Sequence, residues 1–236
     1  MQPTLDSLKV DEYFSQMKTL EDVLSGHKRK LQAIAVEGSV QKLIQFLTDH
    51  MHLPQSGILN LVLDPVDGQS LIHLAASHGC VEMVQYLIRT GSVSVNRCRD
   101  RNGWTALHCA CHFGQWLVCE AILLPAVGAH VLACSSSGSL PMHYAARHRP
   151  TPPDRMDVTR YARVVRAMIE KGASVDARNN CGDTPLHHAC SRGLVEAAEV
   201  GRVHLFYCSI SKKKNFLHGN NYSVHTISQL FILLTR

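Results

Sequence analysis

The apolar residues of this chain fall into paired runs that return along the sequence. The first run of each pair is short and dense: Leu71-Ile72-His73-Leu74-Ala75-Ala76, Ala106-Leu107-His108-Cys109-Ala110-Cys111, Pro141-Met142-His143-Tyr144-Ala145-Ala146 and Pro185-Leu186-His187-His188-Ala189-Cys190. The second run spaces its apolar residues at helical intervals, as in Val81, Val84, Leu87 and Ile88, or Val164, Val165, Met168 and Ile169. Each short run follows a glycine suited to a tight turn (Gly68, Gly103, Gly138, Gly182), and in three of four copies a capping hydroxyl (Ser70, Thr105, Thr184) stands immediately before the helix. Pro141 and Pro185 occupy first-turn positions, where proline is tolerated. The pattern predicts a turn plus a helical hairpin, four times over. Such a unit cannot bury its apolar face alone, so the copies must stack, and Ala75, Ala110, Ala145 and Ala189 let the helices approach closely.

The histidines of the four copies, His73, His108, His143 and His187, lie 35, 35 and 44 residues apart. Together these residues resemble the ankyrin repeat, with its Thr-Pro-Leu-His tetrapeptide, Ala-rich first helix and Gly-Ala-Asp-Val-Asn-Ala closing turn. The tetrapeptide is intact at Thr184-Pro185-Leu186-His187; the closing turn reads Gly172-Ala173-Ser174-Val175-Asp176-Ala177, and more loosely Gly91 to Asn96. The agreement covers residues 66–196. It implies an all-α ankyrin-repeat solenoid of stacked helix-turn-helix units with short β-hairpin-like turns. On that frame 31–64 is a degenerate cap, the repeats occupy about 65–99, 100–134 and 135–178, and 179–199 is a partial repeat. Leu5, Leu8, Val10, Tyr13, Phe14, Met17 and Leu20 recur at helical spacing, so 1–30 is expected to be a helical extension.

Departures from the family pattern locate further features. The third repeat carries about eleven extra residues, placed in Arg149 to Arg160 with Pro150, Pro152 and Pro153, and an exposed loop is expected there. Leu140 replaces the capping hydroxyl in the same repeat, which is expected to weaken its first helix by roughly 0.5–2 kcal/mol. Residues 200–236 have no repeat pattern. The apolar Leu205, Phe206, Tyr207, Ile210 and Leu230 to Leu234 do not suit a terminal repeat, and the expectation is a tail from alternative coding sequence in a protein whose longer form continues.

Charge removes one class of partner. Residues 1–199 hold 19 Lys and Arg against 19 Asp and Glu, and Arg202, Lys212, Lys213, Lys214 and Arg236 carry the whole net charge of +5. A neutral body offers no broad phosphate-binding face, so no nucleic acid is expected. The N-terminus shows no basic-then-apolar leader and no stretch reaches the roughly 18–20 apolar residues of a bilayer span, so no membrane is expected. Nine scattered cysteines describe no disulfide framework and fit a reducing compartment, the cytoplasm or nucleus.

Catalytic motifs are missing. Ser135 to Ser139, with one Gly138, reads as a flexible turn tip rather than a hydrolase elbow, and no Gly-rich phosphate loop is present. His108-Cys109-Ala110-Cys111-His112 is the best metal candidate, but the two-residue offset puts its cysteines on opposite sides of a helix. The four repeated histidines are spread along the stack too far apart for ~2 Å bonds to one metal, and the family resemblance gives them hydrogen bonds within and between repeats. No cofactor, metal or catalytic residue is expected.

What remains is surface. In the family, partners meet the turn tips and the exposed side of the first helices. The tips are Val66, Asp67 and Gln69; Arg101, Asn102 and Trp104; Ser136, Ser137 and Ser139; Asn180, Cys181 and Asp183. The helix side carries Ser77 and His78, His112 and Phe113, Arg147 and His148, and Ser191 and Arg192, a cationic and aromatic row that either meets a partner offering carboxylates or phosphates or only solubilises the stack. Trp104 beside Arg101 is either a hot spot or a ring packed over a neighbouring turn. The expectation is a non-catalytic, monomeric scaffold or adaptor for a protein partner with an acidic contact surface; the alternative is the regulatory or targeting segment of a larger enzyme or channel.

Overall fold

The computed structural model describes residues 27–50, 58–60, 63–64, 66–91, 93–148, 155–185 and 187–188. The expected helix over Leu5 to Leu20, the partial repeat beyond His188 with Ser191 and Arg192, and the tail from 200 lie outside the described residues. The chain divides into two compact units between Ala129 and His130.

In the first unit the helices come in pairs: α1 (Lys28–Glu37) with α2 (Val40–Asp49), α3 (Leu71–Ser77) with α4 (Val81–Arg89), and α5 (Ala106–His112) with α6 (Trp116–Leu123). The first helices pack side by side, α3 meeting both α1 and α5, while α4 meets α2 and α6. The two kinds of helix differ as their sequences do. All seven residues of α3 are buried, as are Ala106 to Cys111 of α5, because alanines at 0–1% exposure leave no side-chain bulk between neighbouring helices. By contrast α4 buries only the stripe Met83, Val84 and Leu87. Each large side chain sealed in this way, Leu43, Ile72 or Leu87 among them, contributes about 1.5–3 kcal/mol by leaving water.

The degenerate first pair is a real hairpin. Leu31, Ile34, Ala35, Leu43, Phe46 and Leu47 are buried, Gly38 turns the chain, and Ser39 caps α2 by accepting from the Lys42 amide at 3.3 Å.

The second unit contains α7 (Pro141–Arg147) and α8 (Arg155–Glu170). Here the structure corrects the expected loop over Arg149 to Arg160: residues 155–160 are helical. They lengthen the second helix to 16 residues, against 9 in α4 and 8 in α6. The three prolines all precede Arg155, and the segment after them has neither Pro nor Gly, so nothing stops the helix from starting early. The missing cap of α7 is partly replaced. Leu140 brings no hydroxyl, yet its amide still donates to His143 Nδ1 at 3.1 Å, Pro141 fixes the first turn, and the Leu140 side chain is itself buried.

Candidate functional site

The turns that precede the first helices share one construction. A polar side chain at an equivalent position folds each turn over itself. Asp64 Oδ1 accepts from the amides of Val66 and Asp67, Asp100 Oδ1 from Asn102 (2.9 Å) and Trp104 (2.7 Å), Ser135 Oγ from Ser139 (3.1 Å), and Asn179 Oδ1 from Cys181 (3.0 Å) and Asp183 (2.9 Å). Turns within one unit are also tied edge to edge: the Arg101 amide donates to the Asp67 carbonyl at 2.9 Å and the Asn180 amide to the Ser137 carbonyl at 3.0 Å. This close approach is why Gly68 and Gly138 are glycines. Both have left-handed φ, 71° and 72°, and a Cβ at Gly68 would stand 2.8 Å from Arg101 Cγ, while one at Gly138 would stand 3.0 Å from the Asn180 amide nitrogen.

The repeated histidines join turn to helix. The Ser70 amide donates to His73 Nδ1 (3.3 Å), which fixes the proton on Nε2, and Nε2 donates to the Trp104 carbonyl at 3.0 Å. His143 repeats the arrangement, Nδ1 accepting from Leu140 and Nε2 donating to the Asp183 carbonyl at 3.1 Å. Thr105 and Thr184 meet His108 and His187 in the same way. Burial lowers the His73 and His143 pKa values against the opposing pull of the carbonyls they donate to. His73, His108 and His143 are at most 1% exposed; His187 is exposed.

At the second repeat these constraints converge on one exposed edge. Trp104 is held through both backbone groups, its amide on Asp100 and its carbonyl on His73. Its half-buried ring lies 4.9 Å from that of His112, and His112 stands edge-on to Phe113 at 4.9 Å, forming a ledge of three rings that ends in the half-exposed Phe113. Trp104 thus packs over the end of its own first helix and is neither fully exposed nor lost to the core. Arg101 and Asn102 stand exposed beside it.

Other residues expected at the surface scatter. His78 is exposed, with Nδ1 donating to the Leu74 carbonyl at 2.9 Å, and Gln69 is half-buried in the first turn. Arg147 and His148 are half-buried and Asn180 is exposed, whereas half-buried Asp183 is tied down through both backbone groups. Two residues are corrected. Ser77 is buried, its hydroxyl donating to the His73 carbonyl, and Ser139 is buried in a hydroxyl chain running through Ser137 to Ser135. That chain, joined by the Tyr144 hydroxyl, makes the serine turn a bonded structure rather than a flexible tip. Their polarity suggested solvent, but each hydroxyl has a backbone or hydroxyl partner inside.

Two residues were missed. Arg97 and Arg99 are exposed like Arg101, while Cys98 between them is half-buried and Asp100 buried. The sequence signal is the concentration of arginine in Arg97-Cys98-Arg99-Asp100-Arg101.

The cysteines of the second repeat's helices are sealed in the core. Cys109, Cys111 and Cys119 are fully buried, Cys111 Sγ lies 3.8 Å from Cys119 Sγ, and burial pushes the Cys109 and Cys119 thiols far up, away from the thiolate a metal or an electrophile requires. Among the described residues no three His, Cys, Asp or Glu side chains are placed to hold a metal ion, and no helix is long and apolar enough to cross a membrane.

Stacked helical pairs, histidine-linked turns and Ala-rich first helices define a repeat protein of the ankyrin class. Comparison with known families agrees: residues 31–133 match a model of ankyrin repeats (3 copies) and residues 158–200 one of ankyrin repeats (many copies). The chain belongs to the ankyrin-repeat family. Its relatives include B-cell lymphoma 3 protein homolog of Mus musculus, 31% identical over 173 residues, which are 73% of this chain and 35% of that protein. Tyrosine-protein kinase Shark of Drosophila melanogaster is 32% identical over 133 residues, 55% of this chain and 12% of the kinase. Probable E3 ubiquitin-protein ligase XBOS32 of Oryza sativa subsp. japonica is 29% identical over 150 residues, 56% of this chain and 30% of the ligase. The chain therefore spans about an eighth to a third of the length of these relatives. Ankyrin repeats are a module of protein–protein interaction, and that general role is the one the family carries.

Proposed function

We propose that this chain is a non-catalytic scaffold or adaptor that holds a protein partner on the turn and first helix of its second repeat. The observation behind this reading is the ledge of Trp104, His112 and Phe113 beside exposed Arg101 and Asn102. Aromatic and arginine anchors fixed by a rigid backbone lose little entropy on binding, and they dominate interface energetics. Gln69 and His78 of the first repeat, in the same unit, are the proposed rim; Arg147, His148, Asn180 and Asp183 are candidate contacts of the second unit taken by itself, and Arg192 lies outside the described residues. The seven described cysteines are all free thiols, which supports a cytoplasmic or nuclear setting.

A second reading rests on the relatives. A tyrosine kinase and a probable ubiquitin ligase match this chain over only 12% and 30% of their own length, so the same repeats also suit a targeting or regulatory segment of a larger enzyme. Affinity capture with mass spectrometry on the full chain separates the outcomes, with a variant carrying Arg101→Ala and Trp104→Ala that retains the parent's circular dichroism spectrum. A stoichiometric partner lost from the variant supports the scaffold reading. Equal recovery by both proteins contradicts this site.

A further inference from the structure

We infer that Arg97, Arg99 and Arg101 form a register-reading row that binds an extended acidic protein segment with carboxylates at alternate positions. The inference rests on the docking reading above and names its partner's chemistry.

The row is built by alternation. From 97 to 101 the residues run exposed, half-buried, exposed, buried, exposed, so three arginines within five residues reach solvent while Asp100 is buried among them. Asp100 does not neutralise them at the surface: it is 7% exposed and its Oδ1 is taken by the Asn102 and Trp104 amides. Two of the three guanidinium groups are held in position. Arg99 Nη1 donates to the Gly103 carbonyl and Arg101 Nη1 to the Val66 carbonyl, both at 3.0 Å. Bracing the turn explains only part of this. Arg178 makes the same brace to the Gly182 carbonyl at 3.0 Å with a single arginine, so a stable turn needs one. Arg97 has no side-chain hydrogen bond among the described residues, and Arg101 reaches across to the preceding turn.

The other turns show that the row is particular to this repeat. The first turn carries Asp64 and Asp67, the third, Val131 to Ser139, has no charged residue, and the fourth sets Arg178 against Asp176 and Asp183. A planar guanidinium matches a carboxylate through paired N–H donors, and in an extended segment every second side chain faces the same way. A protein segment with acidic residues at every second position therefore presents its carboxylates to the row from one side. The neutral body disfavours a nucleic-acid strand, whose affinity comes from neutralising many phosphates at once.

The test is fluorescence anisotropy on the full chain at about 0.1 M salt, where only near charges act strongly. The probes are labelled synthetic peptides of equal charge, one with Asp alternating with Thr and one with the same residues in two blocks, an Asn-for-Asp control, and a single-stranded oligonucleotide. The alternating peptide is expected to bind, the block peptide to bind several-fold more weakly, and Arg97→Glu to lower affinity about tenfold or more through like-charge repulsion. Arg97→Glu is expected to melt with the parent, since its side chain braces nothing, and Arg178→Glu in the fourth turn to leave peptide affinity unchanged. Equal binding of alternating and block peptides, indifference to Arg97→Glu, or preference for the oligonucleotide overturns the inference. If the captured partner is lost on Trp104→Ala but kept on Arg97→Glu, this inference fails while the docking reading stands.

Discussion

The second and third turns share a frame and differ in almost everything they show to solvent. In one, Asp100 closes the turn and Arg97, Arg99, Arg101 and Asn102 stand outside it. In the other, Ser135 closes the turn and the outer residues are Cys134, Ser136 and Ser137, with Ser139 drawn into a hydroxyl chain. The closing groups accept the same kind of backbone donor, so the scaffold requires an acceptor at that place and leaves the outward residues open. On the proposed reading, specificity lies where the frame imposes nothing: the second turn shows charged residues to solvent and the third shows hydroxyls and a thiol.

The largest way to break the second turn is from inside. His73→Ala removes the donor to the Trp104 carbonyl and the acceptor for the Ser70 amide, leaving buried polar groups unpaired, and is expected to cost about 3 kcal/mol in denaturant unfolding. His187→Ala, at an exposed histidine, is expected to cost about 1 kcal/mol or less. Next comes the edge between turns. Gly68→Ala combines left-handed backbone with a close Cβ contact to Arg101 and is expected to cost about 2 kcal/mol or more, whereas Gly91→Ala, with the same backbone sign and no atom within 4 Å, is expected to cost about 1 kcal/mol. The contrast between the two midpoints separates packing from backbone strain.

Trp104→Ala acts mainly on function. Its ring is half-buried, so folding stability is expected to change by about 1 kcal/mol, while partner affinity falls by about 2 kcal/mol, read by calorimetry. Acidity gives the mildest perturbation. The folded-state pKa values of His73 and His143 are lowered, so the unfolded chain takes up protons first. Stability is full above the ordinary histidine value of about 6.5 and is lost as pH falls below it. Denaturation midpoints measured from pH 7.5 to 5 should decline, and a flat profile contradicts buried neutral histidines.

Much of this was readable in the sequence because the repeat imposes its rules on every copy. Small residues in the first helices, glycine at the turn and histidine at a fixed place each answer a steric or hydrogen-bonding demand that returns four times, and comparison of copies exposes it. The surface escaped for the opposite reason. Ser77 and Ser139 were placed outside because a hydroxyl's burial depends on a local acceptor that the pattern of apolar residues does not report. The start of α8 at Arg155 was missed because prolines mark where a helix cannot continue, not how soon the next one begins. Arg97 and Arg99 lie on the arm of the turn, outside the tip positions that the family resemblance marks for partners, and only the fold shows that both are exposed.

The most direct measurement places a photo-crosslinking amino acid at Asn102 in one full-length protein and at Ser137 in another, two equivalent and exposed positions. Docking on the second repeat predicts a covalent partner adduct from position 102 and none above background from position 137. Equal adducts from both, or an adduct from 137 alone, contradict it.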